Sequence, residues 1–161
     1  MRTQGGHRRI FAADVRREAR RLAPNVELNA AAAPAYALPA LAALVETRGE
    51  AVLDVVAQRV YAAGTPGWFA STVSAPARAA WARTLRESCR SGTYGAALQA
   101  SAEFFRTASL AGVLPLERHL FLERLRVGFE RLLRQSAAST EELVGAHGLL
   151  LAIEHQEVGQ P

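Results

Sequence analysis

Five stretches of the chain carry apolar residues at the spacing expected of amphipathic helices. They run from about 39 to 63, from 74 to 91, from 94 to 111, from 115 to about 135 and from 139 onward. The stripe of the first comprises Leu41, Leu44, Val45, Val52, Val55, Val56 and Val60. No segment after residue 11 alternates like a strand, so the pattern predicts an all-α protein with a five-helix bundle, globin-like or generic.

Glycine, proline and capping residues mark the ends of these stretches. Gly64, Pro66 and Gly67 end the first, and Trp68 and Phe69 then fall in a short connector, where we expect them to plug the core. Ser74 is a predicted N-cap for the second helix. Ser139 and Glu142 form a capping-box pattern at the start of the last helix.

The last helix is apolar almost all round its circumference. The residues responsible are Leu143, Val144, Ala146, Leu149, Leu150, Leu151, Ala152 and Ile153. Such a helix is buried on more than one side. Either it is central in the bundle or it meets a partner chain, and the second possibility predicts a homodimer formed through the bundle.

Charge divides the chain into two unequal parts. Residues 1–21 hold seven arginines against two acidic residues, a net of +5, whereas the remaining twelve arginines face thirteen acidic residues, a net of −1. The overall charge of +4 therefore belongs to the N-terminal arm, which we define as residues 1–25. A localised basic segment of this kind is typical of a DNA phosphate contact, although a solvated basic tail has the same composition.

Composition also sets the expected domain boundaries and cellular compartment. We expect residues 26–38, rich in alanine, asparagine and proline, to be a linker, and residues 39–157 to form a sensory or dimerisation bundle. A single cysteine and the lack of a signal peptide predict a cytoplasmic protein without disulfides. The uncharged stretch 28–45 contains Pro34 and Pro39 and is not expected to span a membrane.

The opening sequence RTQGGHRRIFAADV resembles the wing and following helix of MerR-like and excisionase-like winged-helix DNA-binding domains. The resemblance covers residues 2–23. Its matched positions are Arg2, Thr3, Gly5, Gly6, His7, Arg8 and Arg9, followed by Asp14 and Val15. It implies a tight glycine turn against the duplex, with these wing residues and Arg16 of the basic helix facing DNA.

In that family an earlier helix-turn-helix reads the bases, and no such element precedes Arg2 in this sequence. Either residues upstream of Met1 complete the domain, or the chain is a truncated form. The resemblance implies a MerR-like transcriptional regulator with a helical effector or dimerisation domain. It puts DNA and a second copy of the chain among the expected partners, with an unidentified small-molecule or protein effector.

A second resemblance covers about residues 38–135, which include ESCRSGTYGAAL and EFFRTASLAGVLPLERHLFLERLRVGFERLL. This part is similar to the N-terminal regulatory domains of RsbR-type stressosome proteins, which are globin-like bundles without haem. It implies an alternative function as a sensory or scaffold module that acts through protein contacts alone. A generic helical bundle remains the competing interpretation.

The same segment, compared with globin-coupled sensors, predicts that no haem is bound. Those proteins carry a proximal histidine four residues before a Gly-Val-x-Pro turn. Gly112, Val113 and Pro115 match the turn, but Ala108 stands at the histidine position and has no iron ligand. We therefore expect no cofactor.

The sequence gives little support for catalysis. No histidine pair or cysteine cluster has metal-site spacing, and there is no phosphate loop or nucleophile elbow, so neither an enzyme nor a metal centre is predicted. His147 and Glu154 share a helical face and are expected to form a local hydrogen bond. A small apolar ligand between the helices is a weaker possibility, with Trp81, Tyr94 and Phe105 as candidate lining residues.

Overall fold

The computed structural model describes residues 33–60 and 67–158, and within these ranges every regular element is helical. The helices are α1 (Pro39–Val60), α2 (Ala75–Ser91), α3 (Gly95–Leu110), α4 (Pro115–Gln135) and α5 (Thr140–Val158). A short 3₁₀ turn, Trp68–Ala70, lies between α1 and α2. The prediction of an all-α five-helix bundle is confirmed. The wing and basic helix expected at the N-terminus lie outside the described residues.

The helix ends follow the glycine and proline signals of the sequence. Gly92 ends α2 in the left-handed conformation, with φ of 76°, and its N–H donates to the carbonyl of Ser88 over 2.9 Å. Gly112 has φ of 89° in the turn before α4. Pro115 then occupies the first position of α4, where its missing N–H costs no helical hydrogen bond.

Ser74 lies at the predicted N-cap of α2 but does not cap it with its side chain. Its hydroxyl donates instead to the carbonyls of Phe69, over 3.2 Å, and Ser71, over 3.1 Å. Arg78 also donates to the carbonyl of Phe69. These bonds satisfy backbone oxygens of the 3₁₀ turn, so Ser74 stabilises the connector rather than the helix end.

The five helices pack as a closed cycle around an aromatic centre. α1 packs against α2 and α4, α2 against α3, and α5 closes the cycle by packing against α3 and α4. The centre contains Phe69 from the connector with Trp81, Phe104, Phe105 and Phe121. Phe69 is fully buried and stacks on Phe121 at 4.1 Å between ring centroids, which confirms the expectation that the connector plugs the core.

α5 is central to the bundle. Leu149, Leu150 and Ile153 are each no more than 3% exposed without any partner chain. Burial within the described bundle therefore explains why this helix is apolar almost all round. Val144 is the exception, at 64% exposed. Since most of α5 is already covered, a homodimer of this bundle needs a different surface.

The predicted stripe on α1 differs from the observed burial. Val55 was expected in the core but is 47% exposed. Leu53, which the predicted stripe omits, is buried. The apolar surface of α1 is therefore wider than one stripe, and part of it faces solvent beside α4. Within residues 33–60 and 67–158, none of the helices is long and apolar enough to cross a bilayer.

Gly92 is expected to be far less tolerant of substitution than Gly112. A Cβ at Gly92 would lie 2.8 Å from the backbone nitrogen of Ala37 and 3.0 Å from the carbonyl carbon of Tyr36, in addition to the cost of its positive φ. At Gly112 the φ is also positive but no atom lies within 4 Å of the added Cβ.

We predict that Gly92→Ala lowers the free energy of unfolding by about 3 kcal/mol and Gly112→Ala by about 1 kcal/mol. Urea unfolding of both variants measures the difference. Equal losses would show that residues 36–37 do not pack against Gly92 in solution.

Candidate functional site

The DNA-facing residues predicted from sequence lie outside the described residues. They are Arg2, Thr3, Gly5, Gly6, His7, Arg8, Arg9 and Arg16. Their assignment to a wing and basic helix stays a prediction. What the structure does describe is the segment through which this arm joins the bundle.

The segment that leads into α1, residues 33–38, is bonded into the bundle, and we call it the strap. The Tyr36 hydroxyl donates to the carbonyl of Glu141 on α5 over 2.9 Å, and the Tyr94 hydroxyl donates to the carbonyl of Tyr36 over 2.7 Å. The Leu38 N–H donates to the carbonyl of Cys89 on α2 over 2.7 Å. The end of the expected 26–38 linker is thus held by the helical bundle, through α2, Tyr94 and α5.

Packing holds the same segment from a second side. An added Cβ at Gly145 of α5 would lie 2.8 Å from the Tyr36 hydroxyl oxygen and 2.9 Å from a Leu38 methyl group. The absence of a side chain at Gly145 therefore allows the Tyr36 ring and Leu38 to lie directly on α5. Leu38 is fully buried as a result.

The predicted capping box of α5 is only half formed. The N–H of Glu142 donates to the Ser139 hydroxyl over 3.2 Å, as expected. The Glu142 carboxylate, however, accepts a hydrogen bond from the N–H of Ala40 in the first turn of α1. The carboxylate charge at the N-terminus of α1 interacts favourably with the helix dipole. The hydrogen bond also joins α1 to α5.

The three candidate pocket residues belong to the packed core. Trp81 stacks on Phe104 at 5.2 Å, and its indole N–H donates to the Ser101 hydroxyl over 2.7 Å. Phe105 contacts Trp81 edge-on at 6.1 Å. Tyr94 bonds the strap instead of joining this cluster. Trp81 and Phe105 therefore belong to one aromatic cluster, whereas the Tyr94 side chain bonds to the strap.

A concavity with a volume of about 880 Å³ lies between α1 and α4. We call its walls and floor the α1–α4 face. Apolar side chains of both helices form the floor, and charged side chains stand among them. The lining residues are Arg48, Ala51, Val52, Val55, Val56, Leu120, Glu123, Arg124, Val127, Gly128, Arg131, Leu132 and Gln135.

This face is open rather than enclosed. Val55 is 47% and Val127 51% exposed, whereas a small-molecule pocket covers most of its ligand. α1 and α4 lie close together at Gly128, where an added Cβ would be in ordinary van der Waals contact with a Val52 methyl group at 3.5 Å. The face therefore presents apolar side chains of two helices with charged side chains among them, a composition that suits a protein-binding surface.

A chain of charged side chains crosses between α4 and α5. Arg126 lies 3.1 Å from the Glu154 carboxylate and 3.5 Å from that of Glu130. His147 Nδ1 lies 2.5 Å from Glu130, and His119 Nδ1 lies 3.7 Å from Glu154. The predicted contact between His147 and Glu154 is not formed. Each residue instead pairs with α4.

The burial of this cluster indicates a structural role. The Glu154 and Glu130 side chains are 12% and 17% exposed, and one guanidinium serves both carboxylates. Helical spacing predicted His147 of the same helix as the partner of Glu154. The observed partners are instead Arg126 and His119 of α4. Within the described ranges, no group of three or more His, Cys, Asp or Glu side chains has the arrangement of a metal site.

Cys89 is the one thiol of the chain, and its surroundings make it a poor nucleophile. It is fully buried, and burial, with a smaller contribution from the Glu142 carboxylate, raises the pKa of its thiol to about 12. Burial likewise raises the pKa of the Tyr94 phenol, with the neighbouring Cys89, Tyr36 and Glu142 adding to the shift. Both groups stay protonated and neutral at physiological pH.

Comparison with protein families, with curated proteins and with solved structures found no match to this chain. The MerR-like and RsbR-like resemblances therefore stay predictions. A function can be inferred from the strap, the α1–α4 face and the charge of the N-terminal arm.

Arg126→Ala is expected to destabilise the bundle much more than removal of an exposed arginine. It leaves the buried carboxylates of Glu130 and Glu154 without their shared guanidinium, which we expect to lower the free energy of unfolding by about 2 kcal/mol. The matched control is Arg90→Ala, since Arg90 pairs with Glu46 at 2.5 Å in an exposed site.

That control should cost under about 1 kcal/mol. Urea titrations at neutral pH compare the two variants. If both lose the same free energy, the α4–α5 cluster is no more stabilising than a surface ion pair.

Cys89 should be unreactive in the folded protein. With a pKa of about 12, its thiolate fraction at pH 8 is on the order of 10⁻⁴, so a disulfide reagent should label it only after unfolding in urea. Because the folded-state pKa is raised, the stability that this thiol contributes is complete below the pKa of the unfolded thiol. It should then decline as the pH rises from about 9 towards 12. Rapid labelling of native protein at pH 8 would contradict the buried position.

Proposed function

We propose that the chain is a DNA-binding transcriptional regulator of the MerR-like type, in which the N-terminal arm contacts phosphates and the bundle is the effector or dimerisation domain. The observation that carries the proposal is the separation of charge. Residues 1–21 have a net charge of +5, and the rest of the chain has a net charge of −1. Such a segment attracts a polyanion, while the bundle itself provides no comparable attraction.

The strap supports this separation into an arm that contacts DNA and a bundle that acts as effector or dimerisation domain. Tyr36 and Leu38 are bonded to α2 and α5 and to Tyr94, so the chain that precedes residue 33 starts from a fixed place on the bundle. A change in how α5 packs against the strap would therefore shift the point from which the chain that leads to the N-terminal arm leaves the bundle. This is a direct physical route from an event in the bundle to a bound nucleic acid.

The candidate chemistry of the described bundle also favours a binding role. Its one thiol is buried, and its two cross-helix histidine–carboxylate contacts belong to the cluster between α4 and α5. The aromatic residues fill the core. The α1–α4 face keeps the apolar side chains of Val55 and Val127 about half exposed, and such a surface suits a macromolecule.

A second candidate function is a sensory or scaffold module that acts through protein contacts without DNA. The α1–α4 face favours it, because such a face serves a protein partner whether or not the arm binds DNA. The RsbR-like resemblance of residues 38–135 points in the same direction. DNA binding by the arm distinguishes the two functions.

We predict that replacing Arg8 and Arg9 by alanine weakens DNA binding to the same extent on unrelated duplexes. Removing two phosphate contacts should flatten the plot of log K against log salt concentration by about 1.8. Fluorescence anisotropy with two duplexes of different sequence, each measured at several salt concentrations, gives both quantities.

The matched control replaces Arg83 and Arg106, two exposed arginines of α2 and α3, and removes the same charge from the bundle. It should leave affinity and salt dependence nearly unchanged. Absence of DNA binding by the unaltered chain at low salt, or equal effects of the two double variants, would reject the DNA-binding role and favour the scaffold function.

A further inference from the structure

We propose that the α1–α4 face is the interface of a homodimer, in which the α4 helices of two copies cross antiparallel about a two-fold axis at Val127. This inference goes beyond the proposed function and does not rest on DNA binding. It also differs from a dimer formed through α5, since α5 is already covered within one chain.

Exposed apolar residues of α1 and α4 lie together on this face. Val127 of α4 and Val55 of α1 are each about half exposed, and they lie on the same open face. Leu120 and Leu132 extend this surface along α4 on either side of Val127. Burial of such side chains is the main source of favourable free energy in association.

Charges of opposite sign flank Val127 along α4. Glu123 and Arg131 stand four residues before and four residues after Val127, so all three lie on one stripe of the helix. With a rise of about 1.5 Å per residue, the two charges lie about 6 Å from Val127 along the axis, in opposite directions.

A two-fold axis at Val127 places residue 127 + n of one copy opposite residue 127 − n of the other. Glu123 then faces Arg131 of the second copy, and the symmetry forms this pair twice. An interface of this kind is self-complementary, as a two-fold homodimer requires. A parallel arrangement would instead bring identical charges together.

The charge of the face also argues against the chain's own N-terminal arm as the occupant. Arg48 and Arg131 outnumber Glu123 on the lining, so the face is basic, and residues 1–21 carry a net charge of +5. Like charges oppose that contact. Two copies of the basic face also repel each other. The antiparallel register that pairs Glu123 with Arg131 removes part of this repulsion.

A charge exchange tests the register directly in the full-length chain. Glu123→Arg makes the contact between copies all-arginine, and Arg131→Glu makes it all-glutamate, so each single variant should weaken the dimer at least about tenfold. The double variant, E123R with R131E, restores opposite charges and should regain most of the affinity. Sedimentation equilibrium of each protein measures the dimer dissociation constant.

An equimolar mixture of the two single variants gives the sharpest result. One copy then presents two arginines and the other two glutamates, so a heterodimer should form more tightly than either homodimer. Both substituted positions are exposed in the single chain, and far-ultraviolet circular dichroism checks that the variants remain folded. Glu87→Arg, an exposed change of the same charge on α2, is the control and should leave the dimer unaffected.

Two outcomes would overturn the proposal. The first is a monomeric full-length chain at concentrations up to about 100 μM, which corresponds to an association too weak for a stable dimer. The second is a dimer that tolerates Glu123→Arg and Arg131→Glu as well as it tolerates Glu87→Arg, since its interface would then lie on another surface. Neither outcome depends on whether the arm binds DNA, so this test and that of the proposed function can fail separately.

Discussion

Burial of the Phe69 ring is the interaction on which the arrangement of the five helices depends. The ring comes from a connector of the chain, yet it is fully buried and lies between Phe104, Phe105 and Phe121 of α3 and α4. Aromatic rings of this size bury a large apolar area. Phe69 stacks on Phe121 and contacts Phe105 edge-on. Phe69 lies between α1 and α2 in the chain, and α1 packs against α2, against the turn that carries Phe69 and against α4.

That arrangement has two consequences for function. The start of α1 lies beside the start of α5, where Glu142 bonds Ala40 and the strap packs on Gly145. The middle of α1 lies beside α4, where Val55 and Val127 stay half exposed. One end of the described bundle thus holds the attachment of the basic arm, and one side presents an apolar face. In our account the first serves nucleic-acid contact and the second serves assembly with another copy.

The sequence predicted those features that depend on local patterns. The glycines at 92 and 112, Pro115 and the apolar spacing of the helices give boundaries within a few residues of those observed, and Phe69 was expected in the core because it is a large apolar residue between helices. Helical spacing alone did not predict the partners of His147 and Glu154, since these lie across α4 and α5. A period of 3.6 residues also leaves the edges of an apolar stripe undefined, which is why Val55 was assigned to the core.

The strap was not predicted for a related reason. Its composition, alanine and proline with little charge, is that of a linker, and its bonds use backbone carbonyls and two tyrosines distant in sequence. The wing assignment rests on local residues alone and concerns residues outside the described ranges. Native mass spectrometry of the full-length chain with excess short duplex at low salt tests DNA binding and dimer formation together. We expect duplexes that carry two copies of the chain to predominate, whereas free chains, or duplexes that carry one copy each, would contradict this expectation.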